Sequence, residues 1–286
     1  MANNITSTLV NTVLSQSAVT KVQEKLAWFG AFTTDFSDEV RDQRSRSMLV
    51  PYVSGGSAVQ TNPTNFETGD TYIAQCPITL AHISKSFYLT SSDIGTGRRL
   101  ENLAKQNLAI VTNQLETLVF TLMTEALFGT AVTGLSGLAT GMTAANMKTL
   151  FNNIVGKNKV AILKDTVFSG LLPSDLNGYD ITKQKSGYGF DYIDYTGAGF
   201  ASAGTHVVGF GGSPGAIVMA SAIPEYSAPV ADLLDSEVIE VPDVGLSIQT
   251  NLWGSAASRN VWASYDILFG AAVGDASAGR VICGTV

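Results

Sequence analysis

One stripe constrains this 286-residue chain more than any other feature of it. From Arg98 to Phe128, apolar residues recur at Leu100, Leu103, Leu108, Val111, Leu115, Leu118, Val119, Leu122, Met123 and Leu127. Spacings of three and four place them on one face of a helix. At a rise of about 1.5 Å per residue, such a helix predicts a rod of roughly 46 Å. Most helices inside a compact domain are shorter. Residues 48–90, just before it, read as an extended arm with no core of its own. A rod beside an arm implies a subunit that lies against copies of itself.

Composition narrows the class. Charged residues make up only 14% of the chain, against about 25% in typical soluble domains. A chain short of charge, with no apolar run long enough to span a membrane, hides surface in assembly contacts. No secretory leader is expected, because no positive charge precedes Lys21 and no apolar core follows Met1. Cys76 and Cys283 are the only cysteines, too few and too far apart for a disulfide framework, so two free thiols are expected. Net charge is 0 over residues 1–50, −1 over 51–205 and −6 over 206–286. An acidic chain does not grip nucleic acid by releasing counterions. Arg41, Arg44 and Arg46 form the one basic spot, diluted by Asp35, Asp38, Glu39 and Asp42.

Along the chain, residues 1–20 are polar and read as loosely ordered until they dock. A short helix is predicted near 18–30 from Val22, Leu26 and Phe29. Met48 to Val53 reads as a strand, and Cys76, Ile78, Leu80 and His82 alternate on a second one, with Pro77 marking an edge. Together, residues 48–90 predict a long two-stranded projection that rests on a neighbour, since an isolated hairpin is marginal in water. Gly129 to Gly141 reads as a connector and Ala144 to Val155 as a helix. A buried strand follows at 159–164, then a short helix from Thr166 to Leu176. Tyr188, Phe190 and Tyr192 alternate as a strand. Further strands are expected near 206–210, 216–220, 238–241, 246–252, 260–270 and 280–283. The class is α+β.

Chemistry is sparse. Gly211-Gly212-Ser213-Pro214-Gly215 fits the G-x-S-x-G pattern of a hydrolase nucleophile elbow. Pro214, however, has no N–H for an oxyanion hole, and both histidines, His82 and His206, precede the serine. A tight glycine turn accounts for the motif better. The dinucleotide fingerprint fails at Pro214, and Gly156-Lys157 lacks the hydroxyl residue of a phosphate loop because Asn158 follows. The two histidines and two cysteines show no metal-ligand spacing. Asp191 and Asp194 form a carboxylate pair without a neighbouring partner for acid/base work. Tyr179, Tyr188, Phe190, Tyr192, Tyr195 and Phe200 make an aromatic stretch that packing explains better than sugar binding. No catalytic, cofactor-binding or metal residue is assigned, and no enzyme activity or cofactor is expected.

The order of parts resembles the major capsid proteins of tailed bacteriophages, with their Hong Kong 97-like fold. Met1 to Ser47 is similar to the family's N-terminal arm, Met48 to Ser92 to its extended loop, and Gly97 to Phe128 to its spine helix. Val160-Ala-Ile-Leu-Lys followed by Thr166-Val-Phe-Ser-Gly-Leu-Leu resembles the opening of the axial domain. Ser213-Pro-Gly-Ala-Ile-Val-Met-Ala, Val241-Pro-Asp-Val-Gly-Leu, Val261 to Gly270 and Arg280-Val-Ile resemble later segments. The resemblance implies an arm at 1–47, an extended loop at 48–92, and spine plus part of a peripheral domain at 93–140. It further implies an axial domain at 141–235 and closing strands of both domains at 236–286.

It also implies a coat protein of the virion. Such a protein assembles in the host cytoplasm into pentamers and hexamers of an icosahedral shell around double-stranded DNA, without sequence-specific binding. Portal and decoration proteins would be partners, and membranes would not. No lysine lies between Lys25 and Lys85, so the covalent lysine cross-links of some relatives are not expected. Fewer than fifty residues precede the loop, which implies a separate scaffolding protein in place of a fused one. The alternative is an encapsulin-type nanocompartment shell of the same fold.

Overall fold

The computed structural model describes residues 7–36, 47–53, 73–90, 97–135, 141–171, 186–196, 199–204, 206–224, 233–255 and 260–284. The amphipathic stripe does form the longest helix, α2 (Gly97–Phe120), preceded in the chain by α1 (Ser7–Leu26). Leu100, Ala104, Leu108, Val111, Leu115 and Val119 form its buried face. At about 1.5 Å per residue, its 24 residues span roughly 36 Å.

The predicted run to Phe128 is interrupted. Hydrogen bonds tighten to Leu122 N–H on Val119 O (3.1 Å) and Met123 N–H on Phe120 O (3.0 Å). Thr124 then turns extended, at φ −107° and ψ 156°, and a separate short helix, α3 (Glu125–Phe128), follows. Phe120, Met123 and Phe128 are all buried. Bending the chain sends all three into the core, where a straight rod would carry some of them past it.

Two sheets make the body. The larger contains β1 (Thr33–Phe36), β4 (Ala81–Leu89), β9 (Ile217–Ala222), β10 (Leu233–Val241), β11 (Leu246–Ser255) and β12 (Asn260–Val273). Strand β12 is its axis: β11 pairs with residues 260–266 and β9 with 268–273. Leu268 and Phe269 also pair with His82 and Ala81, so β4 occupies the opposite edge of β12 from β9. The smaller sheet runs in the order β5 (Thr130–Leu135), β13 (Gly279–Gly284), β8 (Val207–Gly212), β6 (Val160–Lys164) and β7 (Tyr192–Thr196). Helix α4 (Ala144–Asn153) and the short α5 (Asp165–Phe168) belong to its separate core, with Met147, Leu150, Leu163 and Phe168.

Both long helices pack on one face of the larger sheet. Alternation along β12 presents Ala263, Tyr265, Ile267 and Phe269 to Leu14, Leu26, Phe29 and the α2 stripe. Phe29 stacks on Phe269 at 5.9 Å, and the Tyr265 hydroxyl donates to Leu14 O at 3.3 Å. Each fully buried apolar side chain of this size contributes about 1.5–3 kcal/mol relative to exposure.

Several expectations need correction. Residues 7–20 are not a loose arm, because α1 starts at Ser7 and buries Val10, Leu14, Ala18, Val22 and Leu26. Every fourth residue faces inward, and Lys25 pairs with Glu116 of α2 at 3.2 Å. Residues 81–89 are not part of a projection. They form β4, because nine residues of β12 offer them a full antiparallel ladder.

The hairpin of β2 (Ser47–Val53) and β3 (Ile73–Thr79) exists, but its base has a core of its own. Val50, Cys76, Ile78 and Leu80 bury against Val218, Ala220, Ala222 and Leu268 of the larger sheet. Gly270 permits this approach, since a Cβ there would lie 2.6 Å from both Ile78 Cγ2 and Thr79 O. The stretch 129–141 is more than a connector, as it supplies β5, parallel to β13. Residues 188–190 turn instead of extending: Gly187 and Gly189 flank Tyr188 (φ 53°), and β7 begins only at Tyr192. Over its described residues, the helix predicted from Thr166 to Leu176 is a single turn plus a 3-10 turn (Ser169–Leu171), and 172–176 lie outside the described residues.

Residues 54–72, the charged stretch with Arg41, Arg44 and Arg46, and Tyr179 lie outside the described residues.

Candidate functional site

The helices cover one face of the larger sheet, and the hairpin base covers only part of the other. What the described residues leave open is built by the even-numbered residues of β12 and β4. Ser264 and Asp266 lie beside His82, Ser84 and Ser86 from β4 and Asn251 and Trp253 from β11. With Leu233 of β10 they line a hollow of about 330 Å³. Asp266 is 3% exposed at its floor. It accepts hydrogen bonds from Ser264 and from Asn251 Nδ2 (3.0 Å), and His82 Nε2 lies 3.1 Å away. Three partners for one carboxylate meet the requirement that a buried charge be paired. At the rim, Tyr88 and Trp262 face each other at 5.4 Å, both more than a third exposed, and Leu233 is 40% exposed. A polar floor under an apolar rim suits contact with another protein surface.

The residues weighed for chemistry are dispersed. Ser213 closes the turn between β8 and β9, and its hydroxyl donates to Val155 O at 3.0 Å. Neither histidine is bonded to it: His82 serves Asp266, while His206 Nε2 lies 2.9 Å from Glu125 Oε2. Gly156 (φ 113°) and Asn158 (φ 55°) form the turn into β6, a conformation set by backbone need. Asp191 is exposed, while Asp194 pairs with Ile162 in the β6–β7 ladder. The aromatic stretch splits between two cores. Phe190 meets Phe151 at 5.9 Å, Phe200 meets Phe120 at 4.8 Å, and Tyr188 is exposed. Cys76 and Cys283 are both free and buried.

One cluster escaped sequence inspection. Glu125, His206 and Cys283 bring their side-chain donor atoms within 4.8 Å of one another. Their separations of 81 and 158 residues leave no local spacing to recognise. Only the pairing of β13 with β8 and β5 assembles them.

The two-sheet body, long helix and rooted hairpin follow the Hong Kong 97-like fold, which solved phage capsid chains share. Solved structures with this arrangement include a chain of the capsid of cyanophage P-SCSP1u. It is 12% identical over 89% of this chain and 86% of that one, with a TM-score of 0.52. The mature capsid of bacteriophage PhiM1 matches at 13% identity over 90% and 86%, with a TM-score of 0.52. A virus-like particle from Pyrococcus furiosus matches at 11% identity over 94% and 97%, with a TM-score of 0.55. No protein-family model and no curated protein sequence matches the chain.

Proposed function

We propose that this chain is the major coat subunit of a tailed-phage type of virion, assembling into an icosahedral shell around double-stranded DNA. One observation carries this reading: the likeness to capsid chains runs over roughly nine-tenths of both partners, so it embraces the whole subunit and not a shared module. Rings of five and six copies need heterologous contacts, in which unlike patches meet. The open sheet face and the hairpin are two such unlike patches on one chain. In this reading the larger sheet is the peripheral domain and the smaller one the axial domain, clustered about the capsomer axis. The chain contributes shape and contact area, not catalysis. Its net charge of −7 lets a wall hold DNA without adhering to it. A separate scaffolding protein, a portal and decoration proteins complete the assembly in the host cytoplasm.

A second reading is a cellular nanocompartment of encapsulin type, favoured by the Pyrococcus furiosus virus-like particle, which this chain covers to 97%. Expression of the full chain followed by sedimentation and electron microscopy separates the possibilities. Capsomers or shells are expected, with ordered closure on adding a scaffolding protein. Closed shells formed unaided around a protein cargo would favour the compartment. A stable monomer at high concentration would overturn both.

A further inference from the structure

We propose that Glu125, His206 and Cys283 form a zinc-binding site on the smaller sheet. Glu125 opens α3, His206 immediately precedes β8, and Cys283 lies on β13 between β8 and β5. Cys283 Sγ is 2.9 Å from Glu125 Oε1, His206 Nε2 is 2.9 Å from Glu125 Oε2, and all three donors fall within 4.8 Å. A tetrahedral zinc ion, with bonds of about 2.0–2.3 Å, spaces its ligand atoms by roughly 3.3–3.6 Å. The observed separations bracket that spacing, so small side-chain rotations suffice to close around an ion.

The platform is rigid. Gly284 N–H donates to His206 O at 2.7 Å, and Val281 N–H donates to Gly129 O at 2.9 Å. These bonds tie all three ligand-bearing segments together before any ion arrives.

The donor set selects the metal. A thiolate, an imidazole and a carboxylate are the three side-chain types zinc accepts. Calcium and magnesium, which want oxygen alone, are disfavoured. Thr130 donates to Glu125 Oε1 at 2.6 Å, the kind of outer partner that orients a ligating carboxylate. Three protein ligands leave the fourth position to water.

Without metal, the Cys283 thiol is held protonated, pushed up to about 12 by burial and by its bond to Glu125. Zinc displaces that proton to solvent as the thiolate–metal bond forms. The ion would fasten α3, and with it the end of the longest helix, to the strands of the smaller sheet. This site stands apart from the shell reading and does not depend on it.

The test uses the full chain, stripped with a chelator and then titrated with zinc or cobalt. One ion per chain is expected, and cobalt should give a thiolate charge-transfer band together with tetrahedral d–d absorption. Cys283→Ser should abolish the band, and Cys76→Ser should leave it unchanged. His206→Gln should weaken binding, and Thr130→Val should weaken it about 10- to 100-fold. Zinc should raise the thermal midpoint of the wild type and not that of Cys283→Ser. If Cys283→Ser does not fold, His206→Gln and Thr130→Val decide, and unchanged affinity in both overturns the site. No stoichiometric uptake, or a cobalt spectrum lacking thiolate character, also overturns it.

Discussion

The two faces of the larger sheet are made by the same strands yet meet opposite demands. On the helix side, Tyr265, Ile267 and Phe269 are fully enclosed in the core that α1, α2 and Phe29 complete. On the other side, their neighbours Ser264 and Asp266 sit in a hollow that no described element of the chain covers. Successive strand residues point to opposite faces, so β12 carries both programmes one residue apart. The difference teaches where stability and contact reside. The closed face holds the subunit together, and the open face is left for a neighbour.

Substitutions can break that contrast. Phe269→Ala on the closed face should cost about 3–5 kcal/mol, read as a lowered urea midpoint of the dissociated subunit. Leu14→Ala, which removes a buried side chain of α1 from the same core, should cost about 2–5 kcal/mol. A result near zero would mean α1 is not anchored as described. Asp266→Ala should be milder, about 1–3 kcal/mol, because it leaves Asn251 and Ser264 without their acceptor. Leu233→Ser at the rim should change subunit stability by less than about 0.5 kcal/mol while lowering the yield of capsomers in sedimentation. Equal loss of stability and assembly in that variant would erase the distinction between the faces.

Legibility in the sequence followed the strength of the local signal. Helix α2 was visible because leucines repeat at helical spacing against a charged and amide-rich background. Its end was not, since Thr121 and Thr124 are ordinary residues and the bend is decided by where Phe120, Met123 and Phe128 find space. Helix α1 is only half legible. Its inward positions are every fourth residue, but Asn11, Ser15 and Ser17 are buried among them, which blurs the apolar stripe. The alternation of β4 fits a free hairpin and an edge strand equally well, and only the ladder with β12 separates them. The turn at Ser213 to Gly215 is legible from Pro214, whereas Gly211 and Gly212, expected in the same turn, extend β8 and pair with β13 and β6. The Glu125–His206–Cys283 cluster left no trace in spacing, and three neighbouring segments had to pair before it existed.

Local preference therefore settled that α2, α4 and most of the later strands form, that the chain mixes helices and strands, and that Pro214 offers no N–H after the serine. Those outcomes depend on residue type and on periods of 3.6 or 2, which a short window contains. Tertiary structure alone decided where the long helix stops, that the N-terminal helix docks, that the hairpin is rooted at Gly270, and which ligands converge. Each of these depends on contacts between residues far apart in the chain, and a linear pattern does not encode which distant partners will fit.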